Sequence, residues 1–266
     1  MCSGVQLQQL QSRGFAILPG RVPQKVVVDA KNACIERLEG LLTKVSAVGC
    51  DPLEQQYSFA SICHRQKLRW DFRCLESNRQ WQRLCEEALL LITPTIAPDA
   101  SSQVRLVMSG CVTSRPGAVA QTFHADGNAD GLFTCFVPLV DVAADADGTQ
   151  FWPGSHLNAH APTLAPTLDC DDARLEEMES PAVPAGGLLV FDYRVIHRGL
   201  ASVGRERPMA YLVVARDDVA AGSLVEDTIN FPDIDIADAR AEDIAAFPRW
   251  QSEGPVRGRT AATIGR

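Results

Sequence analysis

Leu132-Phe133-Thr134-Cys135-Phe136-Val137-Pro138-Leu139 is a short run of aromatic, β-branched and other apolar residues. Its composition fits a half-buried pleated strand. It belongs to a series. Similar runs cover residues 104–109, 121–124, 149–152, 188–192 and 209–215. Turn-forming residues punctuate them: Arg115-Pro116-Gly117, Asp147-Gly148, Pro153-Gly154 and Gly186-Gly187. Short strands at regular intervals with Gly/Pro punctuation predict an all-β barrel or jelly roll.

Upstream of Pro98 the texture is helical. Residues 5–12 form a short candidate helix ended by Gly14, and Phe15-Ala16-Ile17-Leu18 reads as a strand stopped by Pro19-Gly20. From residue 24 to about 44, Val27, Ala30, Cys34, Ile35, Leu38, Leu41 and Leu42 recur at helical spacing. A second helix is expected over residues 79–92, with Trp81, Leu84, Cys85, Ala88 and Leu91 on one face and Ser77-Asn78 as its cap. Residues 50–78 between them have no clear period and read as an irregular lid. Helical spacing returns around residues 236–247. The expected fold is mainly β with flanking α-helices, built on a double-stranded β-helix (jelly-roll, cupin-like) core. Residues 1–266 are read as one domain, with a helical layer over about 1–98, a barrel core over about 99–216 and an extension over 217–266. Barrels of roughly this size are routine as single domains.

The formal charge of −8, with no Lys/Arg-rich run, argues against a nucleic-acid surface. Nine cysteines, an odd number without a CxxC pair, fit reduced thiols better than a disulfide framework. Neither a signal peptide nor a membrane-spanning run is evident, so a cytoplasmic location is expected.

Chemistry enters at His124-Ala125-Asp126. Residues i and i+2 of a strand point to one face, so both side chains can reach one ion. His197 follows the apolar run 187–191, near the mouth of a later strand. Two imidazoles and one carboxylate form the facial triad of non-heme Fe(II), which leaves open positions for chemistry. Arg207 lies ten residues past His197, just before Met209-Ala210-Tyr211-Leu212-Val213. A guanidinium there can pair with the far carboxylate of a dicarboxylate. Arg205 is the fallback if the strand starts earlier.

Several ordered motifs carry a resemblance. Ser114-Arg115-Pro116-Gly117 precedes Gln121-Thr122-Phe123-His124-Ala125-Asp126-Gly127. Gly148-Thr149-Gln150-Phe151-Trp152-Pro153-Gly154-Ser155-His156 follows, and then Asp192-Tyr193-Arg194-Val195-Ile196-His197-Arg198-Gly199-Leu200-Ala201 and Arg207-Pro208. From about residue 114 to 214 the chain resembles the phytanoyl-CoA dioxygenase-like branch of the Fe(II)/2-oxoglutarate-dependent oxygenases. Arg69-Trp70-Asp71-Phe72 is weakly similar to a lid segment of some members.

The resemblance implies His124, Asp126 and His197 as iron ligands and Arg207 as the partner of the 2-oxoglutarate C5 carboxylate. It places Gln121, Thr134 and Thr149 near the cosubstrate. It implies a hydroxylase, or a desaturase, that uses O2, converts 2-oxoglutarate to succinate and CO2, and is stimulated by ascorbate. The presence of Asp126 argues against halogenation, because halogenating relatives carry a small residue there. His156 is read as a structural hydrogen-bonding residue, Phe151 and Trp152 as core, and His64 and His160 as surface residues.

The substrate is expected to be a small molecule. The lid and the barrel residues Val107, Ser109 and Cys111 are expected to line its pocket. Arg65, Lys67, Arg69 and Arg73 could meet an anionic substrate. Two other classes compete: a cupin-like metalloenzyme that does not use 2-oxoglutarate, and a non-catalytic binder that keeps the site. The first has no need of Arg207, and the second has no need of three metal ligands. Dependence on 2-oxoglutarate separates all three.

Overall fold

The computed structural model describes residues 4–74, 77–98, 103–161, 173–217 and 235–238. Helix α1 (Gly4–Arg13) ends where Gly14 takes φ +84°, a left-handed conformation that a β-carbon disfavours. The Gly14 N–H caps the helix by donating to the Leu10 carbonyl at 3.0 Å. Strand β1 (Phe15–Leu18) follows directly. Helix α2 spans Gln24–Ala47 and buries Val27, Ala30, Cys34, Leu38, Leu41 and Leu42, nearly the predicted stripe. Helix α3 (Arg79–Ile96) starts as expected: the Asn78 side chain accepts the Trp81 N–H at 2.9 Å. It runs past its predicted end at residue 92 and carries Pro94 within its last turn.

Residues 50–78 are not an irregular lid. They contain β2 (Tyr57–Phe59), β3 (Ile62–Gln66) and β4 (Arg69–Arg73), successive antiparallel strands. Tyr57, Phe59, Trp70 and Phe72 are buried in the main core. In Arg69-Trp70-Asp71-Phe72 large aromatics alternate with charged residues, the period-two pattern of a strand with one face in the core. Fully burying side chains of this size contributes roughly 1.5–3 kcal/mol each, which anchors the segment.

The remaining strands are β5 (Val104–Ser114), β6 (Leu132–Pro138), β7 (Thr149–Phe151), β8 (Leu188–Asp192), β9 (His197–Gly199) and β10 (Arg207–Arg216). Eight form one open antiparallel sheet in the order β1-β8-β6-β10-β5-β4-β3-β2, and β7 pairs with β9 in a second, two-stranded sheet. The architecture is mainly β and jelly-roll-like, with the large sheet not closed. Residues 121–124 make only an isolated bridge at His124, not a full strand. In the tail, Ile236–Asp238 forms a short 3-10 turn, and the rest of the predicted helical stretch lies outside the described residues.

The two faces of the large sheet have different roles. Ala210, Leu212 and Val214 of β10 join the core beneath α2 and α3. Tyr211 and Val213, on the opposite face, pack with Leu132 and Tyr193. Cys111 lies on the helix side, as does Ser109, whose hydroxyl accepts from the Trp81 indole N–H at 2.9 Å. These two residues therefore do not line the interior; Met108 and Val112 do, with Val107 beside them. No helix among the described residues is long and apolar enough to cross a membrane.

Candidate metal and dicarboxylate site

The segment before β6 and the segment from β9 onward lie side by side as an antiparallel ribbon. The His124 N–H donates to the His197 carbonyl at 2.9 Å, and the His197 N–H returns the bond at 2.8 Å. The Gln121 N–H donates to Gly199 O at 2.9 Å, and the Ser202 N–H to Ala118 O at 2.9 Å. This pairing brings two histidines distant in sequence to one place.

One ligand atom from each of His124, Asp126 and His197 lies within 4.8 Å of the other two. They form the one such group of three among the described residues. His197 Nε2 is 3.6 Å from Asp126 Oδ1, and the imidazole centroids are 4.6 Å apart. His124 Nδ1 lies 2.9 Å from the Thr122 carbonyl and His197 Nδ1 lies 3.0 Å from the Val195 carbonyl. A carbonyl only accepts, so each Nδ1 carries the proton and each Nε2 keeps its lone pair for a metal. The Thr134 hydroxyl donates to Asp126 Oδ2 at 2.8 Å and so orients the carboxylate. Phe191 and Phe151 pack against the His197 ring at centroid distances of 4.8 and 5.8 Å. The donor set fits an ion such as Fe(II): two neutral imidazoles, one carboxylate, and outer hydrogen bonds on all three.

Arg207 opens β10 and is buried. Ser114 of β5 pairs in register with both Arg207 and Arg69 of β4. Directly opposed residues share a face, so the two guanidinium groups flank one hydroxyl on the inner side of the sheet. Arg207 Nη2 donates to Ser114 Oγ at 3.4 Å, and its Nε is buried without a partner. Burial pulls Arg207 down to about 10, and Asp147, acting at a distance, opposes this only in part. Arg69 is pulled down to about 9 by burial and by the like charge of Arg207. Neither guanidinium forms an ion pair among the described residues. Two buried cations with no ion-paired carboxylate among the described residues make a place that favours an anion.

The sequence offered Arg69 only as one of four basic residues that could meet an anionic substrate, not as a partner of Arg207 or Gln121. Its Nη1 donates to Gln121 Oε1 at 3.1 Å, and its Nη2 donates to the carbonyls of Val119 at 2.9 Å and Leu200 at 2.7 Å. It thus holds both strands of the ligand-bearing ribbon. The alternation of Arg69 and Asp71 with buried Trp70 and Phe72 was the available signal. Gln121 Oε1 also accepts the Gly199 N–H at 2.9 Å. Two donors at that atom identify it as the oxygen, so the amide nitrogen is the end left to meet a ligand.

Thr149 is buried on β7 opposite Gly199. Arg205 faces elsewhere, pairing with Asp147 at 3.8 Å and with the Asp141 carbonyl. His156 hydrogen-bonds the Gln11 carbonyl at 3.2 Å, in line with a structural role. Phe151 is buried and Trp152 half-buried, and His160 is exposed. His64 is not a surface residue: it is 1% exposed and stacks on Trp70. Lys67 and Arg69 do not converge on one surface. Lys67 is exposed against Glu54, whereas Arg69 points into the interior.

A sequence model of the phytanoyl-CoA dioxygenase family matches residues 10–208. The chain belongs to the phytanoyl-CoA dioxygenase family. The match takes in the helical layer, the ribbon and the start of β10. Among solved structures, AviO1 from Streptomyces viridochromogenes Tue57 is similar at a TM-score of 0.58 and 17% identity, covering 82% of this chain and 96% of that one. The epimerase SnoN in complex with Fe3+, alpha-ketoglutarate and nogalamycin RO gives 0.54 and 17%, covering 80% and 82%. The carbocyclase SnoK from nogalamycin biosynthesis, described as non-heme and alpha-ketoglutarate-dependent, gives 0.56 and 17%, covering 80% and 83%. At this identity the three speak to the fold. No curated protein sequence matches the chain.

Proposed function

We propose that this protein is an Fe(II)/2-oxoglutarate-dependent oxygenase that acts on a C–H bond of a small molecule, with hydroxylation as the outcome. One observation carries the reading. His124, Asp126 and His197 converge within 4.8 Å, and the Nδ1 atoms of both histidines are occupied by backbone carbonyls. A polar cluster formed by chance has no reason to hold both imidazoles in the metal-ready tautomer.

In this reading His124, Asp126 and His197 hold the iron, and Arg207 with Ser114 takes the C5 carboxylate of 2-oxoglutarate. Arg69 adds a second positive charge, and Gln121 presents its amide nitrogen. When bound, the iron and 2-oxoglutarate together supply the oxidising power that consumes O2 and breaks a C–H bond. The protein's own contribution is orientation. The two guanidinium groups would admit the keto acid in one direction, and Thr134, by holding one oxygen of Asp126, would leave the other to face the metal.

Beside the site, Met108, Val112, Tyr211 and Val213 form an apolar wall. Its polar pair is the Tyr211 hydroxyl donating to Asp71 Oδ1 at 3.0 Å. Such a wall suits a largely apolar substrate body fixed by few polar contacts. The carboxylate at position 126 supports transfer of oxygen over transfer of halide. That SnoN is an epimerase and SnoK a carbocyclase makes stereochemical inversion and ring closure the alternatives to test beside hydroxylation and desaturation.

Titrating the protein with Fe(II) and 2-oxoglutarate without oxygen tests the reading. The expected result is a visible charge-transfer band that is lost in His124→Ala. With air, ascorbate and a panel of small molecules, succinate formation identifies the substrate class. A protein that binds the metal but never gives the band or succinate is not this enzyme.

A further inference from the structure

Behind the sheet, away from the metal site, several thiols gather between α2, α3 and the strands beneath them. Cys34 of α2 and Cys74, which directly follows β4, face each other with sulfurs 3.9 Å apart. Cys34 is buried at 1% exposure, whereas Cys74 is half-exposed. Cys111 of β5 lies close to Cys34 as well; it is fully buried and its sulfur is 3.6 Å from the Thr113 hydroxyl. The neighbouring thiols of Cys111 and Cys74, and burial after them, push Cys34 well up, so it stays protonated. Arg37, one helical turn past Cys34, donates from Nε to the Arg73 carbonyl at 3.4 Å and brings its charge beside Cys74. Partly exposed, electropositive surroundings are where cysteines react.

We propose that Cys34 and Cys74 form an oxidisable dithiol in which a hydroperoxide attacked by Cys74 yields a Cys34–Cys74 disulfide. In the first step the Cys74 sulfur attacks one peroxide oxygen. The S–O bond forms, the O–O bond breaks, and water or an alcohol leaves. In the second step the Cys34 sulfur attacks the Cys74 sulfur. The S–S bond forms, the S–O bond breaks, and the hydroxide departs as water with the Cys34 proton. The hydroperoxide takes the two electrons. The sulfurs must close from 3.9 Å to about 2.0 Å, a change within reach of side-chain rotation when the backbones are already adjacent. The product ties α2 covalently to the end of β4, the strand that carries Arg69 on its other face.

The test uses the full chain, first reduced and then exposed to hydrogen peroxide, with non-reducing peptide mapping and thiol counting after denaturation. The expected product is a Cys34–Cys74 peptide pair two hydrogens lighter, with the free thiols falling from nine to seven per chain and recovering with a dithiol reductant. In Cys34→Ser the reaction stops at a Cys74 sulfenic acid that dimedone traps. In Cys74→Ser, a near-isosteric change at a partly buried position, Cys34 stays reduced under the same exposure. Cys34 joined to Cys111, Cys74 joined to any other partner, or Cys34 oxidised in Cys74→Ser would each overturn the proposal.

Discussion

His124 and His197 exchange both of their backbone hydrogen bonds, so the first and last candidate ligands sit opposite each other on one antiparallel ribbon. The position of each imidazole is thereby set by main-chain pairing and does not depend on the metal. Replacing His124 by Ala should therefore abolish Fe(II) binding yet leave the fold intact. At this half-exposed position we expect a stability change within about 1 kcal/mol. Thermal melts beside metal titrations check this; a large drop in melting temperature would mean the imidazole itself holds the ribbon together.

Thr134 acts on the metal through Asp126. Removing its hydroxyl in Thr134→Val keeps the shape of a buried β-branched residue but frees one carboxylate oxygen. Lost outer hydrogen bonds of this kind cost roughly 10–100-fold in metal affinity. The expected result is about a tenfold weaker metal with a normal far-ultraviolet spectrum, and recovery in Thr134→Ser. Unchanged affinity would leave Thr134 as a packing residue.

Arg207 and Arg205 are two residues apart in one sequence stretch, and the structure separates them. Arg207 is buried beside Ser114, whereas Arg205 is largely exposed and pairs with the Asp147 carboxylate and the Asp141 carbonyl. Truncating the partner of a buried charge pair costs roughly 2–5 kcal/mol. Arg207→Ala should weaken 2-oxoglutarate by about 30-fold or more without moving the metal affinity, and Arg205→Ala should leave both near wild type. The reverse pattern in calorimetric titrations would shift the anchor to Arg205.

The strands after Pro98 were legible because period-two apolar runs and Gly/Pro turns are local signals. The metal ligands were legible for a different reason: iron chemistry demands particular atoms, and the residue types that supply them are few. Residues 50–78 were misread because three short strands of three to five residues leave too few repeats for a period to show. Their burial is also decided by distant partners, since β4 pairs with β5 across α3. Arg69 was consequently read as one of a basic group on the lid, and its place beside Arg207 was not seen. A charged residue among other charged residues reads as surface until the sheet turns it inward. Ser109 and Cys111 went to the wrong face because a strand buried on both sides gives no alternation by which to choose.

Gly199 is a consequence of Arg69. A β-carbon at Gly199 would meet the Arg69 guanidinium and stand 2.6 Å from Gln121 Oε1, two groups that hydrogen-bond each other. Neither can move without breaking bonds to the ribbon. Gly199→Ala should destabilise the protein by roughly 1–3 kcal/mol, in the range of other overpacked sites. It should also weaken the metal, because His197 lies two residues away on β9. Denaturant unfolding and metal titration together test this; a stable variant with intact metal affinity would show that the guanidinium is free to shift.

His64 adds an acid-sensitive element to the core. Its ring stacks on Trp70 with centroids 5.0 Å apart, Nδ1 donates to the Gln55 carbonyl at 2.6 Å, and Nε2 is buried without a partner. Burial pulls its pKa below the ordinary 6.5, against the weaker pull of the Gln55 carbonyl and nearby Glu54 and Asp51. The unfolded chain therefore takes up the proton first as the pH falls. Stability is fully present above about pH 6.5 and declines below it, by at most about 1.4 kcal/mol per pH unit, until the folded-state pKa is reached. His64→Asn keeps a donor for Gln55 and removes the titration. Chemical denaturation at pH 7.5 and pH 5 should show a smaller loss for the variant than for the wild type. Equal losses would mean that the proton goes elsewhere and that His64 is accommodated in its charged form.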